Sequence, residues 1–311
     1  MKVVFMGSPA FSLPALRALI LNEYEVKAVY TQPDKKTGRG QRIAACPVKQ
    51  FAAEAGLRVI QPESFKDPTE VEMLAGLKPD IIIVAAYGQI LPEEVLKIPP
   101  YKCINVHPSL LPKYRGPSPV ATAILQGDTQ TGVSIMLIER KVDSGPVIAQ
   151  AAVDIKDDDT TGSLTGRLAE TGAELLMDIL PGWAAGTIQP VAQDETQASH
   201  TRMERKEDGT LDWSWTAVQL WRKVRACNPW PGSYVEWMNA RIKIMETIPL
   251  QTVEKGTVGQ VVELPRGEVT RVAVRTGDGL LGLIRIQPEG KREMTASDFM
   301  AGHKNFIGSI L

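Results

Sequence analysis

Apolar strands alternate with helical segments through the first hundred residues, and this alternation constrains the fold more than any other feature of the chain. After Lys2, residues 3–6 are continuously apolar, as in a strand buried on both faces. Residues 10–21 then carry apolar side chains at helical spacing, and residues 26–30 form the next predicted strand. A strand, a helix and a strand in this order predict a parallel sheet with right-handed crossovers.

The same pattern continues to about residue 107 and predicts a doubly wound α/β domain with a mostly parallel, Rossmann-like sheet. The further predicted elements are helices over 47–55 and 68–77, a helix from about residue 92, and strands over 58–60, 80–86 and 103–107. Two more strands, over 132–138 and 147–153, and a helix over 160–179 follow. We predict that this first domain spans residues 1–188.

From about residue 206 the chain changes to short β-rich runs. One predicted helix, over 216–226, precedes predicted strands over 233–238, 241–247, 256–264, 269–275 and 279–287. Gly and Pro separate these strands at close intervals, which predicts a small β-barrel over residues 206–311. Residues 189–205 show no clear periodicity, and we interpret them as a linker.

The composition excludes several classes of protein. Hydrophobic residues make up 43% and charged residues 23%, which is typical of globular proteins, and no apolar run is long enough to span a membrane. The three cysteines are odd in number and far apart, so we expect no disulfide framework, no metal site and a cytoplasmic location. Residues 206–311 hold 14 Lys and Arg against 12 Asp and Glu, a small excess with the sign expected for an RNA-binding domain.

Three polar residues form the candidate catalytic set. Asn105, His107 and Asp143 supply an amide, an imidazole and a carboxylate, the groups needed to polarise a carbonyl and move a proton near neutral pH. Asn105 and His107 are two residues apart in a predicted strand, so their side chains leave from the same face. The alternative is that His107 is a satisfied core histidine and that Asp143 is a turn residue before Ser144-Gly145.

The predicted topology places the candidate set at an expected ligand-binding edge. Doubly wound sheets bind ligands beyond the carboxyl ends of their strands, where the strand order reverses. Gly7, Tyr87 and His107 end or follow predicted strands, so we expect the active site at this edge. The first strand is not followed by Gly-x-Gly-x-x-Gly, so a dinucleotide site has little support.

The run Asn105-Val-His-Pro-Ser-Leu-Leu-Pro112, followed in a later loop by Asp143-Ser-Gly145, resembles the active-site signature of the 10-formyltetrahydrofolate-dependent formyltransferases. Residues 6–11, 31–40 and 86–92 resemble the family's first strand–helix turn, its flexible basic loop and a folate-pocket segment, in that order. Two C-terminal segments, residues 225–232 and 287–291, resemble the family members that formylate methionine on initiator tRNA. Pro108 departs from those members and is more typical of the enzymes that formylate glycinamide ribonucleotide.

The resemblance implies a transferase of protein biosynthesis that acts in translation initiation. It implies transfer of a formyl group from 10-formyltetrahydrofolate to the α-amine of methionine on initiator tRNA, with an OB-like C-terminal domain that binds the tRNA. Asn105 and protonated His107 would donate hydrogen bonds to the formyl oxygen as charge develops there. Asp143 would either orient His107 or hold a water that carries the amine proton. We expect a monomer with no membrane partner.

The resemblance also implies two sets of binding residues. The folate would contact two segments beside the catalytic set, whose alternative role is ordinary core or helix-start packing: Tyr87, Gln89, Ile90 and Leu91, and Ser109, Leu110, Leu111 and Pro112. The acceptor end of the tRNA would contact a flexible cationic loop, whose alternative role is a solvated surface loop: Lys35, Lys36, Arg39 and Arg42.

Five of the six tryptophans lie between residues 213 and 237. Packing in the barrel core or between domains is the favoured interpretation for most of them, and stacking on tRNA bases is the alternative.

Two other functions compete with the leading hypothesis. A formyltransferase for glycinamide ribonucleotide or for an amino sugar would account for the N-terminal half, although it would leave the C-terminal domain unexplained. A non-catalytic RNA-binding protein on an enzyme scaffold would have no need of Asn105, His107 and Asp143 together. Thermal stabilisation by a folate analogue separates this last possibility from the enzymes.

Overall fold

The computed structural model describes residues 1–37, 42–252 and 256–311. The chain divides into two compact units. The first comprises residues 1–119, 130–154 and 165–201, and the second comprises residues 120–129, 155–164 and 202–311. The second unit thus includes two short segments from the N-terminal half, in addition to the residues that the sequence assigns to a C-terminal domain.

The first unit is built on a twisted sheet whose strands run in the order β5-β2-β1-β6-β7-β8-β9. The strands of this sheet are β1 Lys2–Gly7, β2 Glu25–Tyr30, β5 Val59–Ile60, β6 Ile81–Ala85, β7 Cys103–His107, β8 Gln130–Leu137 and β9 Val147–Asp154, and a separate two-stranded sheet is formed by β3 Lys35–Thr37 and β4 Arg42–Ala44. The helices of the first unit are α1 Leu13–Leu21, α2 Pro47–Glu54, α3 Pro68–Gly76, α4 Glu93–Leu96 and, from residue 165 onward, α6 Thr161–Ala184. Helix α5 Pro119–Gln126 belongs to the second unit except for its first residue.

The strand order reverses beside β1. Strands β2 and β5 lie on one side of β1, whereas β6 and β7 lie on the other, and all of these pairs are parallel. Strands β8 and β9 extend the sheet by antiparallel pairing. The carboxyl ends of β1, β6 and β7 therefore meet at one edge, next to the reversal, where ligands of such sheets bind.

The central strands are apolar because both of their faces are covered. Residues 3–6 of β1 and residues 81–83 of β6 are fully buried. This confirms the interpretation of the continuous apolar runs as strands buried on both sides. The confirmed fold class is an α/β unit with a mostly parallel Rossmann-like sheet, followed by an OB-like antiparallel unit.

Three segments differ from their sequence-based predictions. The helix predicted from about residue 92 is a single turn, α4, and α6 continues past its predicted end through Pro181 to Ala184. Within the predicted basic loop, Lys35–Thr37 forms β3, which pairs antiparallel with β4 just after the loop. Most of the predicted linker, residues 189–201, belongs to the first unit. Polar and backbone contacts hold it there, and such contacts leave no apolar periodicity in the sequence.

The second unit contains an antiparallel sheet with strand order β10-β11-β14-β13-β12, and β15 pairs with β14. Its strands are β10 Ser233–Trp237, β11 Ala240–Leu250, β12 Val261–Glu263, β13 Val272–Arg275, β14 Leu280–Pro288 and β15 Met294–Thr295. Two helices, α7 Ala217–Ala226 and α8 Ala296–Gly302, pack on the sheet's apolar core. Thr216 and Gln219 form a capping box that fixes the start of α7.

Four of the clustered tryptophans belong to the packing of this second unit. Trp213 is buried in the core, and Trp215, Trp221 and Trp237 pack against it. Trp230 differs, since it is 51% exposed. The favoured interpretation of most tryptophans as packing residues agrees with this placement, and Trp230 is left as a candidate for stacking.

In the part of the chain that the structure describes, no helix combines the length and the apolar character needed to cross a bilayer. The same residues form no cluster of His, Cys, Asp and Glu side chains that could hold a metal ion.

Candidate active site

Strand β7 carries Asn105 and His107 to the edge of the sheet at which folds of this kind bind their ligands. Asn105 pairs with Val84 of β6 and with Met136 of β8, and His107 pairs with Ser134 of β8. The two side chains leave the strand from the same face, as the spacing predicts. His107 is only 4% exposed, whereas Asn105 is half-buried.

Both ring nitrogens of His107 face oxygen acceptors. The Nε2 atom lies 3.1 Å from the carbonyl oxygen of Tyr114, and the Nδ1 atom lies 3.6 Å from Oδ2 of Asp143. A carbonyl can only accept a hydrogen bond, so Nε2 carries a proton in this arrangement. The Oδ2 atom of Asp143 beside Nδ1 gives the ring a second oxygen neighbour, so the imidazole is held between Tyr114 and Asp143.

Asp143 presents its two carboxylate oxygens differently. Its Oδ2 atom accepts a 2.8 Å hydrogen bond from the backbone amide of Gly116 and lies against His107. Its Oδ1 atom has no hydrogen-bond donor among the residues described, and the side chain is partly open to solvent. The backbone of Asp143 is left-handed, with φ of 51°, a conformation that Asp adopts more readily than most residues. The structure thus brings together His107 and Asp143, which lie far apart in the sequence.

The side-chain amide of Asn105 makes no hydrogen bond to any described residue. Its neighbour on the same face, His107, is by contrast bonded and buried. An amide that is half-buried and unpartnered at a ligand-binding edge can donate to a substrate oxygen without first breaking a bond within the protein.

Ser134 fixes the loop that follows His107. This buried hydroxyl donates to the carbonyl of Ser109 at 2.6 Å and accepts from the amide of Leu111 at 3.0 Å and from Nε2 of Gln150 at 2.8 Å. Ser134 pairs with His107 on one side and with Gln150 of β9 on the other. A polar row across β7, β8 and β9 therefore supports the loop in which four of the expected folate contacts lie.

Those four residues are not equivalent. Ser109 and Leu111 are buried, and the Ser109 hydroxyl donates to the carbonyl of Lys113 at 2.6 Å. Leu110 is half-buried and lies over Gly132, where an added Cβ would come within 2.5 Å of its Cδ2 atom. Pro112 is also half-buried. Ser109 and Leu111 shape the loop from within, and Leu110 offers apolar surface.

The second expected folate segment, residues 87–91, precedes α4 as a loop. Tyr87 and Leu91 are buried in the core, and burial raises the pKa of the Tyr87 phenol. The Tyr87 carbonyl accepts a 2.9 Å hydrogen bond from Nε2 of Gln32, and Gln89 donates from Nε2 to the carbonyl of Pro62 at 2.9 Å. Ile90 is 79% exposed. Among these side chains, Ile90 is the one that projects into solvent.

The basic residues are only partly described. Lys35 is exposed in β3, and its Nζ atom donates to Oε1 of Gln32 at 2.7 Å. Lys36 pairs with Ile43 and Arg42 pairs with Thr37 through the backbones of β3 and β4. Arg39 lies outside the described residues. Gln32 bonds both Lys35 and the Tyr87 carbonyl, so the base of the hairpin is linked to the expected folate segment.

Several residues at this site carried no sequence signal. Tyr114 and Gly116 act through a backbone carbonyl and a backbone amide, which any residue possesses. Gln193, in the predicted linker, hydrogen-bonds to the backbone of Asp143. Ser134 and Gln150 lie on predicted strands, and the one available clue was Ser134, a buried polar residue within the otherwise apolar run of β8.

The family assignment rests on matches over most of the chain. The formyl transferase family matches residues 1–180, and the family described as formyl transferase, C-terminal domain, matches residues 204–304. The methionyl-tRNA formyltransferase of Roseiflexus sp. (strain RS-1) is 46% identical over 307 residues, covering 97% of this chain and 92% of its own. That of Methylococcus capsulatus is 44% identical, covering 97% of each chain.

Solved structures with lower identity share the fold. The N-formyltransferase from Helicobacter canadensis, solved with folinic acid and dTDP-3-aminofucose, has a TM-score of 0.66 at 20% identity, covering 91% of this chain and 99% of that one. HypX from Aquifex aeolicus, solved with tetrahydrofolic acid, has a TM-score of 0.65 at 20% identity, covering 96% of this chain and 47% of that one.

The polar groups at the edge of the parallel sheet agree with the active-site signature of the family that matches both halves of the chain. By its close relatives over nearly its full length, the chain belongs to the methionyl-tRNA formyltransferase family.

Proposed function

We propose that this protein transfers the formyl group of 10-formyltetrahydrofolate to the α-amine of methionine esterified to initiator tRNA. The observation that carries the proposal is the juxtaposition of His107, Asp143 and the unpartnered amide of Asn105 at the ligand-binding edge. The names of the relatives support the choice of acceptor. The product, formylmethionyl-tRNA, serves translation initiation.

The amine needs little activation by the protein. A free α-amine has a reference pKa of about 7.7–8.0, so a useful fraction is unprotonated near neutral pH. The folate supplies a formyl group on nitrogen, and attack by the amine places negative charge on the formyl oxygen. Asn105 donates a hydrogen bond to that oxygen, and one such donor lowers the barrier of acyl transfer by about 2.7–4 kcal/mol in well-studied cases.

His107 acts from beside this oxygen. In this structure Nε2 is bonded to the Tyr114 carbonyl, so donation to the formyl oxygen requires His107 to exchange that partner. Even without the exchange, an imidazolium close to the formyl oxygen stabilises negative charge there. The Nδ1 side remains against Asp143 throughout.

Asp143 serves both of the roles that the sequence left open, one on each oxygen. The Oδ2 atom, fixed by Gly116, orients His107 and balances its charge. The Oδ1 atom, without a donor among the described residues, holds the water that carries the proton from the amine to the leaving nitrogen. The two functions do not compete because they use different atoms.

The residues present fit a folate. Leu110 and Ile90 offer apolar surface, and the half-buried Asn105 offers a free donor nearby in the fold. Gln89 and Tyr87 contribute mainly through backbone groups, since their side chains are already bonded or buried. Ser109, Leu111 and Pro112 hold the loop that presents Leu110.

The tRNA contacts fall on two features. The hairpin of β3 and β4 carries Lys35, Lys36 and Arg42, and Arg39 lies between its strands in the sequence. These cations suit the phosphates of an acceptor stem, and Arg39→Ala is expected to lower kcat/KM for charged tRNA. In the second unit, the exposed Trp230 offers a surface on which a base can stack.

All three cysteines are free, as the reducing cytoplasm would keep them.

The test is formyl transfer from 10-formyltetrahydrofolate by the purified protein to several acceptors in parallel: methionyl-initiator tRNA, methionyl-elongator tRNA, glycinamide ribonucleotide and an amino sugar nucleotide. Transfer to the initiator tRNA in strong preference to the other acceptors supports the proposal. Preferred transfer to glycinamide ribonucleotide or to the sugar would contradict it, and so would the absence of transfer to every acceptor.

A further inference from the structure

Gln193, in the segment that the sequence assigns to a linker, holds the backbone of the catalytic loop. Its Nε2 atom donates to the carbonyl of Asp143 at 2.9 Å and to the carbonyl of Gly145 at 2.7 Å. These two carbonyls flank Ser144 in the loop between β8 and β9. One side chain therefore fixes both ends of the short turn that presents the Asp143 carboxylate.

The orientation of the Gln193 amide is set by Arg115. The Oε1 atom of Gln193 accepts from Nε of Arg115 at 3.1 Å and from Nη2 at 2.9 Å. A guanidinium only donates, so the amide oxygen must face Arg115 and the NH₂ group must face Asp143. A primary amide has two donor hydrogens and two acceptor positions, and here all four are used. Gln193 thus has one hydrogen-bonded orientation, which points at the catalytic loop.

Arg115 is itself fixed by burial and by charge. It is among the largest fully buried side chains, and Glu195 accepts from Nη1 at 3.2 Å and from Nη2 at 2.7 Å. Lys141 donates to the same carboxylate at 3.0 Å. These two cations lower the pKa of Glu195 to about 2, with Arg115 the larger cause. The guanidinium is therefore paired with a carboxylate that stays charged through the physiological pH range.

The backbone around Arg115 contacts both catalytic side chains. Tyr114 accepts from His107, and Gly116 donates to Asp143. The Arg115 amide donates to the Ser199 carbonyl at 2.9 Å, and its own carbonyl accepts from Thr201 at 2.7 Å. Residues 193–201 thus hold the Tyr114–Gly116 segment through the backbone and the Asp143 loop through Gln193.

We propose that Gln193, oriented by the buried guanidinium of Arg115, is a positioning residue that keeps the carboxylate of Asp143 against His107. The inference rests on the proposed function, because it assumes that Asp143 takes part in formyl transfer. The support from Gln193 is needed because Asp143 has a left-handed backbone, a conformation that surrounding contacts must maintain. Gln193 makes two of those contacts, and Gly116 makes a third to the side chain.

The experiment compares Gln193→Met with wild type in formyl transfer to methionyl-initiator tRNA. Methionine keeps the length of the side chain and removes both donors. We expect kcat to fall about 10- to 100-fold, the range seen when supporting contacts or sub-ångström placement are lost, with KM for both substrates unchanged. Gln130→Met is the matched control, since Gln130 is exposed in β8 and bonds the side chain of Asp154. Its kcat should equal that of wild type.

A double variant separates positioning from general support of the fold. If Gln193 acts through Asp143, adding Gln193→Met to Asp143→Ala causes no further loss of kcat. A loss in the double variant equal to the product of the two single losses would overturn the proposal, as would a Gln193→Met enzyme with wild-type kcat. If Gln193→Met does not fold, Gln193→Glu takes its place in both comparisons, because it keeps an acceptor toward Arg115 and lacks the donors at neutral pH.

The same assays distinguish this inference from the proposed function. A wild-type protein that formylates none of the acceptors would overturn the proposed function. Wild-type transfer that is unaffected by Gln193→Met overturns the positioning role alone.

Discussion

The backbone amide of Gly116 donates a 2.8 Å hydrogen bond to the Asp143 carboxylate oxygen that lies 3.6 Å from Nδ1 of His107. Gly116 has φ of 103°, a conformation that favours glycine, and an added Cβ would lie 2.9 Å from the carbonyl oxygen of Thr201. The geometry of the proposed catalytic pair, His107 and Asp143, therefore depends on a residue that has no side chain.

Gly116→Ala should destabilise the protein and slow catalysis together. A strained backbone of this kind costs about 1–3 kcal/mol, and any shift of the amide moves the Asp143 carboxylate. Urea unfolding measures the first effect, and kcat measures the second. Gly76→Ala is the control, since Gly76 ends α3 with no atom near the position of its Cβ, and it should be neutral or stabilising by up to about 1 kcal/mol. Equal effects of the two substitutions would contradict this interpretation.

Ser134→Ala should weaken the loop that presents Leu110. The substitution leaves the Leu111 amide without its acceptor, which costs about 1–3 kcal/mol of unfolding free energy, and it should raise KM for the formyl donor. Thr131→Val on the same strand is the control, because the buried Thr131 hydroxyl has no partner among the described residues, so its removal should be neutral or stabilising. Chemical denaturation measures the free energy of unfolding of both variants. A larger loss of that free energy in Thr131→Val than in Ser134→Ala would contradict the prediction.

The contribution of Glu195 to stability should depend on pH. Its pKa is lowered from 4.5 to about 2 by Arg115 and Lys141, so the stabilisation is fully present above pH 4.5 and is lost as the pH falls toward 2. Glu195→Gln should therefore be less stable than wild type at pH 7, and the difference should narrow as the pH falls below 4.5. Glu174→Gln, a change at an exposed position of α6, is the control for loss of a surface carboxylate, and its stability at pH 7 should stay within about 0.5 kcal/mol of wild type. A difference for Glu195→Gln that is constant from pH 7 to pH 3 would refute the assignment.

Trp213 and Trp230 should differ in stability and in tRNA binding. Trp213→Ala leaves a cavity in the core of the second unit and should lower the free energy of unfolding by about 3–5 kcal/mol. Trp230→Ala alters an exposed side chain, so its effect on stability should stay within about 0.5 kcal/mol while Kd for initiator tRNA rises. Unfolding curves and a filter-binding titration check the pair. Unchanged tRNA affinity in Trp230→Ala would assign that residue no role in stacking.

The central parallel strands β1 and β6 were predictable because each holds a continuous apolar run, residues 3–6 and 81–85, next to turn residues. The antiparallel direction of β8 and β9 was not, since side-chain patterning does not determine which way a strand runs. The short hairpin of β3 and β4 escaped prediction for a different reason. Its strands have three residues each and β3 has no apolar residue, so no alternation of apolar and polar side chains marks them in the sequence.

Of the candidate site, the side chains with distinctive chemistry could be predicted, and their supports could not. His107 and Asp143 were selected by residue type and motif, and the structure places them together. Gln193 was assigned to a linker because its contacts with Arg115 and Asp143 join residues remote in sequence. Backbone donors and acceptors, such as those of Gly116 and Tyr114, have no signature in a single sequence.

The most direct test of the proposed chemistry is the single-turnover rate of formyl transfer to methionyl-initiator tRNA by Asn105→Ala, with both substrates saturating. Loss of one donor to the developing oxyanion should lower this rate about 10²–10³-fold, without loss of the thermal stabilisation that a folate analogue gives to wild type. A rate within a factor of about two of wild type would show that the unpartnered amide of Asn105 does not stabilise the charge on the formyl oxygen, and the proposed mechanism would fail.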